Sequence, residues 1–213
     1  MLLATSVWGC ALSGAALVLE ARPFFATAED IETLTDRLVA QPIVAGWSLD
    51  AERQVLNACV RAMKSAYGRI LPRPERGNLT SHCLELAEQV VANNPSSAYA
   101  WYVEALAAAG DGNFTLLSDA LMRSEQLAPN EEWLGTVRDE LAEANLDHLT
   151  PDARAANDRD LAMLVSSMTG LAAIGARYIR DPDFRERIKE IVEQLPAADQ
   201  RRFIGAVSRA AHG

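Results

Sequence analysis

The chain has 213 residues, enough to bury a core as one domain or as a small helical array. Aromatic residues are only 6% and no run alternates apolar and polar residues for long, which argues against strands. A net charge of -9 argues against a nucleic-acid partner and against adhesion to anionic lipid through a basic surface, because both need clustered Lys and Arg.

Met1 to Leu19 carry no charged side chain, and Glu20, Arg22 and Pro23 end the run. As a helix this stretch measures about 28 Å, roughly the thickness of a hydrocarbon core. A soluble helix normally shows a polar stripe, and here only Thr5, Ser6 and Ser13 are polar. The expectation is a single transmembrane anchor over 1–22. A signal peptide cleaved near Ala26-Thr27-Ala28 and a buried soluble helix are the alternatives. Val7-Trp8-Gly9-Cys10 is a poor lipoprotein box because Trp8 is bulky, and Arg22 weakly opposes an outside C-terminus.

Residues 23–47 read as a short helix and a linker. Ile31, Leu34, Leu38 and Val39 mark the apolar side of a helix over Ala28 to Ala40, and Pro42 and Gly46 break it. A helical domain is expected over 48–213. Ser48 caps a helix running to about Ile70, with Leu56, Cys59, Val60, Met63, Tyr67 and Ile70 on its inner face. Pro72, Pro74 and Gly77 form a turn. Thr80 then caps a second helix with Cys83, Leu86, Ala87, Val90 and Val91 inward, ending at Asn93-Asn94-Pro95. Cys59 and Cys83 fall on facing sides of this hairpin at similar distances from its turn. They either bridge, stabilising by about 3 kcal/mol in an oxidising compartment, or remain two reduced core thiols.

The most informative stretch is Ala98 to Pro129. Two apolar helix patterns flank Gly110-Asp111-Gly112-Asn113, and Pro95 and Pro129 are one 34-residue period apart. Trp101, Ala105, Leu121 and Leu127 fall on a large aromatic, a small and two large apolar positions of such a repeat. The stretch resembles the tetratricopeptide-repeat (TPR) family, departing from its pattern at Glu104, Ala108, Leu117 and Ser124. The resemblance covers roughly Cys83 to Ala142 and implies an all-α superhelix of stacked antiparallel hairpins. It also implies a concave groove for a partner protein, whose positions fall on Tyr102, Leu106 and Ala109. These are apolar, so the resemblance does not imply a clamp for an acidic C-terminus; burial by neighbouring helices is the competing reading.

Further on, Asn130 caps a helix to Ala144 with Trp133, Leu134, Val137 and Leu141 inward. Thr150-Pro151 starts another, with Leu161, Leu164, Val165 and Met168 as its later stripe, and Met168-Thr169-Gly170 turns into Leu171 to Arg180. Asp181-Pro182 begins a helix carrying Phe184, Ile188, Ile191 and Val192. Pro196 opens the last, Ala197 to Ala211, with Phe203, Ile204 and Val207 inward. Arg201, Arg202 and Arg209 face outward, as the polar cap of a repeat array requires.

Chemistry-bearing patterns are sparse. His82, His148 and His212 are far apart, and no H-E-x-x-H, C-x-x-C, Walker loop or G-x-S-x-G occurs. Gly110-Asp111-Gly112-Asn113 lacks the later ligands of a calcium loop. Asn78-Leu79-Thr80 and Asn113-Phe114-Thr115 match the glycosylation sequon at helix starts, where Asn and Thr have capping roles. Glu85, Glu88, Asp139, Glu140 and Glu143 read as solvated helix faces. No catalytic, cofactor-binding or metal-ligating residue is assigned. The expectation is a non-enzymatic scaffold at a bacterial inner membrane, single-pass, with its domain in the periplasm and protein partners in envelope assembly such as polysaccharide synthesis and export. A cytosolic regulatory module or secretion chaperone is the alternative.

Overall fold

The computed structural model describes residues 29–212 and, before them, Ser13, Leu17, Val18, Glu20, Ala21 and Phe24. The described residues are mostly helical, with no strand among them. The anchor predicted over 1–22 lies mostly outside the described residues, as do Cys10 and the Ala26-Thr27-Ala28 site. Among the described residues no single helix is long and apolar enough to cross a membrane. The chain divides into two compact units, one ending at Asn113 and one beginning at Phe114.

The first unit contains α1 (Ile31–Ala40), α2 (Leu49–Lys64), α3 (Ala66–Ile70), α4 (Arg73–Asn93) and α5 (Ala98–Asp111). Local chemistry sets the starts. The Asp30 carboxylate accepts from the amides of Glu32 and Thr33, Ser48 Oγ from Ala51 and Ser97 Oγ from Ala100. α4 packs along α5, and α1 packs on α4 and α2. Leu34, Leu38, Val55, Leu56, Leu79 and Leu86 fill the interior.

Two expectations fail in this unit. The helix expected to run to Ile70 breaks at Ser65. There the hydroxyl donates to the Ala62 carbonyl at 2.8 Å and accepts from the Gly68 amide at 2.8 Å, opening α3 in a new direction. A Cβ on Gly68 would sit 2.1 Å from the Ala62 carbonyl oxygen, so the break needs glycine there. Beyond it the apolar phase is lost and Ile70 is 78% exposed. Nor is Thr80 a cap. α4 begins at Arg73, because Pro74 in its first turn gives up an amide that a helix leaves unpaired anyway. Thr80 lies inside the helix and donates to the carbonyls of Arg76 and Gly77.

At the end of α5, Gly112 adopts φ 77°, the left-handed conformation glycine takes at no steric cost. The Asn113 amide reaches back to the Ala108 carbonyl at 2.9 Å and the Gly112 amide to Ala109 at 3.2 Å, a Schellman closure.

The second unit contains α6 (Phe114–Leu127), α7 (Glu132–Ala144), a 3-10 turn (Leu146–His148), α8 (Pro151–Ser166), α9 (Met168–Arg180), α10 (Pro182–Glu193) and α11 (Ala197–His212). α8 is its central rod, touched by every other helix of the unit. Leu161, Leu164, Val165, Ile174, Phe184 and Ile188 make the core. Thr150 Oγ1 accepts from the Ala153 amide and Asp181 from the Phe184 amide, as expected of helix starts before proline.

Here too some expectations fail. Asn130 does not cap α7: the cap is Glu131, without a side-chain bond. Trp133 is 48% exposed and Ile204 is also on the surface, while Arg138 and Asp139 are buried. No turn of three residues separates α8 from α9. The break is Ser167 alone, whose hydroxyl accepts from Gly170, and the axes bend by 109°.

Candidate functional site

The expected partner-binding residues all lie on α5. Tyr102 is only 1% exposed, its ring stacked on Tyr99 with centroids 6.0 Å apart. Its ring therefore belongs to the interior of the first unit and does not line an open groove. Leu106 and Ala109 are half-buried. α4 approaches α5 closely, where a Cβ on Gly110 would lie 2.5 Å from Thr80 Cγ2, and Tyr99 beside Tyr102 donates to Asn57 of α2 at 2.6 Å. The two helices of the expected repeat fall in different units, α5 packing on α4 and α6 on α8.

Beside Tyr102 on the same helix is the least comfortable group of the first unit. Glu104 is 4% exposed, and its Oε2 has no hydrogen-bond partner among the described residues. Burial pushes its carboxyl up to about 7, with the charge of Glu88 adding to the effect. Glu104 stands where the repeat pattern has an apolar residue, and that departure from pattern was the sequence signal for it.

The expected cysteine pair is joined. Cys59 on α2 and Cys83 on α4 form a disulfide with Cα atoms 5.6 Å apart, both fully buried. With a separation of 24 residues the loop it closes restrains the unfolded chain by about 3 to 4 kcal/mol. The bond ties α2 to α4.

Glu20 links the predicted anchor's end to the helical domain. Its carboxylate accepts from the Ser48 hydroxyl at 2.6 Å and the Ser48 amide at 3.1 Å, and also from the Trp47 amide. The Ser48 bond, then the Trp47 amide, hold this carboxyl below its usual range. The negative charge sits at the N-terminus of α2, where the helix dipole favours it. The same region exposes Val44, Trp47 and Leu49.

The second unit holds a buried ionic network that periodicity did not reveal. Arg138 forks onto Asp160 through Nε and Nη2 at 2.7 and 2.6 Å, and it also donates to the carbonyls of Ser124 and Ala128. Glu125 takes both Nε and Nη2 of Arg159. Arg177 reaches Asp139 at 3.4 Å and Glu143 at 3.2 Å, and Arg187 bridges Glu143 and Asp158. Asp139 and Glu143 are thus inward-facing charges, not the solvated ones expected. Burial, then Glu143, pushes the Asp139 carboxyl up to about 7 against the pull of Arg177 and Arg187. The network joins five helices of the unit. The cavity against Arg138 and Asp160 is about 10 Å³, room for one water.

Of the histidines, His82 Nδ1 lies 2.7 Å from the Leu38 carbonyl and His148 stacks on Phe114 at 3.9 Å. No group of three metal-ligating side chains occurs among the described residues. Compared with protein-family models, with curated proteins and with solved structures, the chain matches none of them.

Proposed function

We propose that the chain is a non-enzymatic, membrane-anchored scaffold whose TPR-like helical units bind partner proteins in cell-envelope assembly, polysaccharide synthesis or export among its processes. The observation that carries the reading is the buried Cys59–Cys83 disulfide. Such bonds persist in oxidising compartments and are rare where thiols are kept reduced, so it favours units that face the periplasm. The uncharged run from Met1 to Leu19 supplies the anchor in this reading. The Glu20 contacts to Trp47 and Ser48 then set the domain directly at the anchor's end instead of on a long tether.

The scaffold role rests on what the helices offer. Buried charges such as Arg138, Asp160 and Asp139 are engaged in internal ion pairs, whereas exposed apolar side chains remain at Trp47, Leu49, Ile70, Met168 and Ile204. The test is crosslinking in native cells followed by purification from the membrane fraction under denaturing conditions. A defined envelope protein crosslinked in stoichiometric amount is the expected result. A protein that is monomeric and uncrosslinked in that fraction contradicts the scaffold reading.

A further inference from the structure

The second unit carries a groove between α9 and α11, of about 600 Å³, whose floor and rim differ in character. The floor is apolar and low, with Leu171, Ala172 and Gly205, and Met168 stands at one lip 81% exposed. Arg201 and Arg209 rise from α11 on the other side. They are eight residues apart on one helical face with Gly205 midway, so their Cα atoms are about 12 Å apart, two turns of helix. Neither has an ion-pair partner among the described residues, while Arg202 beside them is held by Asp199.

We propose that this groove docks an acidic amphipathic helix of a partner protein, which rests on the scaffold reading and gives it a surface. Two observations choose this occupant. Small residues on the floor let a third helix approach α9 and α11 closely, its apolar ridge lying along Leu171 and Met168. The rim supplies two guanidinium groups, two turns apart and without an ion-pair partner among the described residues, matched by carboxylates at the same spacing on a helix. An anionic membrane is disfavoured as occupant, because the apolar floor is recessed between α9 and α11, where a helix reaches it and a flat lipid surface does not.

The probe is a fluorescent helical peptide of about 18 residues with leucines along one face and two glutamates two turns apart on its flank. Full-length protein is held in zwitterionic detergent and binding is read by anisotropy. Expected is saturable, salt-weakened binding, reduced at least about tenfold by Arg201→Glu with Arg209→Glu. Binding is also lost in Gly205→Leu, which fills the groove without changing charge. Gly205 has only the Arg209 guanidinium within 4 Å of its Cβ position, at 3.5 Å, so a side chain there starts without a clash. A peptide of the same composition with its glutamates moved to the opposite face binds at least about tenfold more weakly. Equal binding of the two peptides, or binding unchanged in both variants, overturns the proposal. So does arginine-dependent attachment to anionic vesicles with no peptide binding, or self-association of the protein through this face. A native partner that crosslinks equally to the Gly205→Leu protein overturns the groove while leaving the scaffold reading standing.

Discussion

Arg138 and Asp160 form a two-pronged ion pair at 2.6 and 2.7 Å with both side chains almost wholly removed from solvent. Both charges have given up their hydration, so neither is at ease without the other. Asp160→Ala leaves a buried guanidinium with the Ser124 and Ala128 carbonyls and the Ser124 hydroxyl as its remaining partners, and the second unit loses about 3 to 5 kcal/mol. Replacing the pair by Met and Leu costs far less, because no charge is then stranded. Denaturant melts followed by Trp133 fluorescence check both outcomes.

Glu104 sets a pH dependence in the first unit. Its carboxyl is raised from 4.5 to about 7, so in the folded chain it keeps a proton that the unfolded chain has released. The contribution to stability is present below pH 4.5 and lost as pH rises through about 7. Asp139, raised from 3.8 to about 7, gives the second unit the same slope over a wider window. Glu104→Leu flattens the first unit's profile and stabilises it at pH 8 by about 2 kcal/mol, since a buried unpaired carboxylate is removed. Melts at pH 5 and pH 8, read through Trp101, measure the difference.

Two glycines of the first unit behave oppositely when a methyl group is added. Gly77 lies inside α4 with nothing within 4 Å of its Cβ position, and Gly77→Ala stabilises by about 0.5 to 1 kcal/mol through helix propensity. Gly110 meets Thr80 Cγ2 at 2.5 Å, and Gly110→Ala pushes α5 from α4 and destabilises by about 1 to 3 kcal/mol. Adding Thr80→Ser restores much of the loss by removing the clashing methyl. Thermal melts of the three proteins decide it.

Breaking the Cys59–Cys83 bond costs the first unit about 3 kcal/mol and leaves the second unchanged. Cys59→Ala with Cys83→Ala therefore lowers the midpoint read through Trp101 without shifting that read through Trp133. Equal shifts at both reporters contradict this.

Helix starts at Ser48, Thr150 and Asp181 were legible because a cap is a local device: the side chain and the amide it satisfies lie three residues apart. The cysteine bridge was one of two readings the sequence left open, and the structure joins Cys59 on α2 to Cys83 on α4. Arg138 and Asp139 were not, because what holds their charges inside lies on other helices, Asp160 for one and Arg177 for the other. Trp133 and Ile204 satisfy an apolar period yet face solvent, since periodicity finds a stripe without fixing which residue at its margin is covered. Tyr102 is buried for a similar reason. A groove position inferred from one repeat depends on which helix packs against it, and in the first unit α4 does.

The most direct test of the account is thiol labelling of fractionated native cells, with Cys10 replaced by Ser so that only Cys59 and Cys83 report. The account predicts protein in the membrane fraction with both thiols unreactive until a reductant is added after denaturation. Soluble protein whose two thiols label in denaturant without reductant contradicts both the anchor and the oxidising compartment, and favours a cytosolic adaptor.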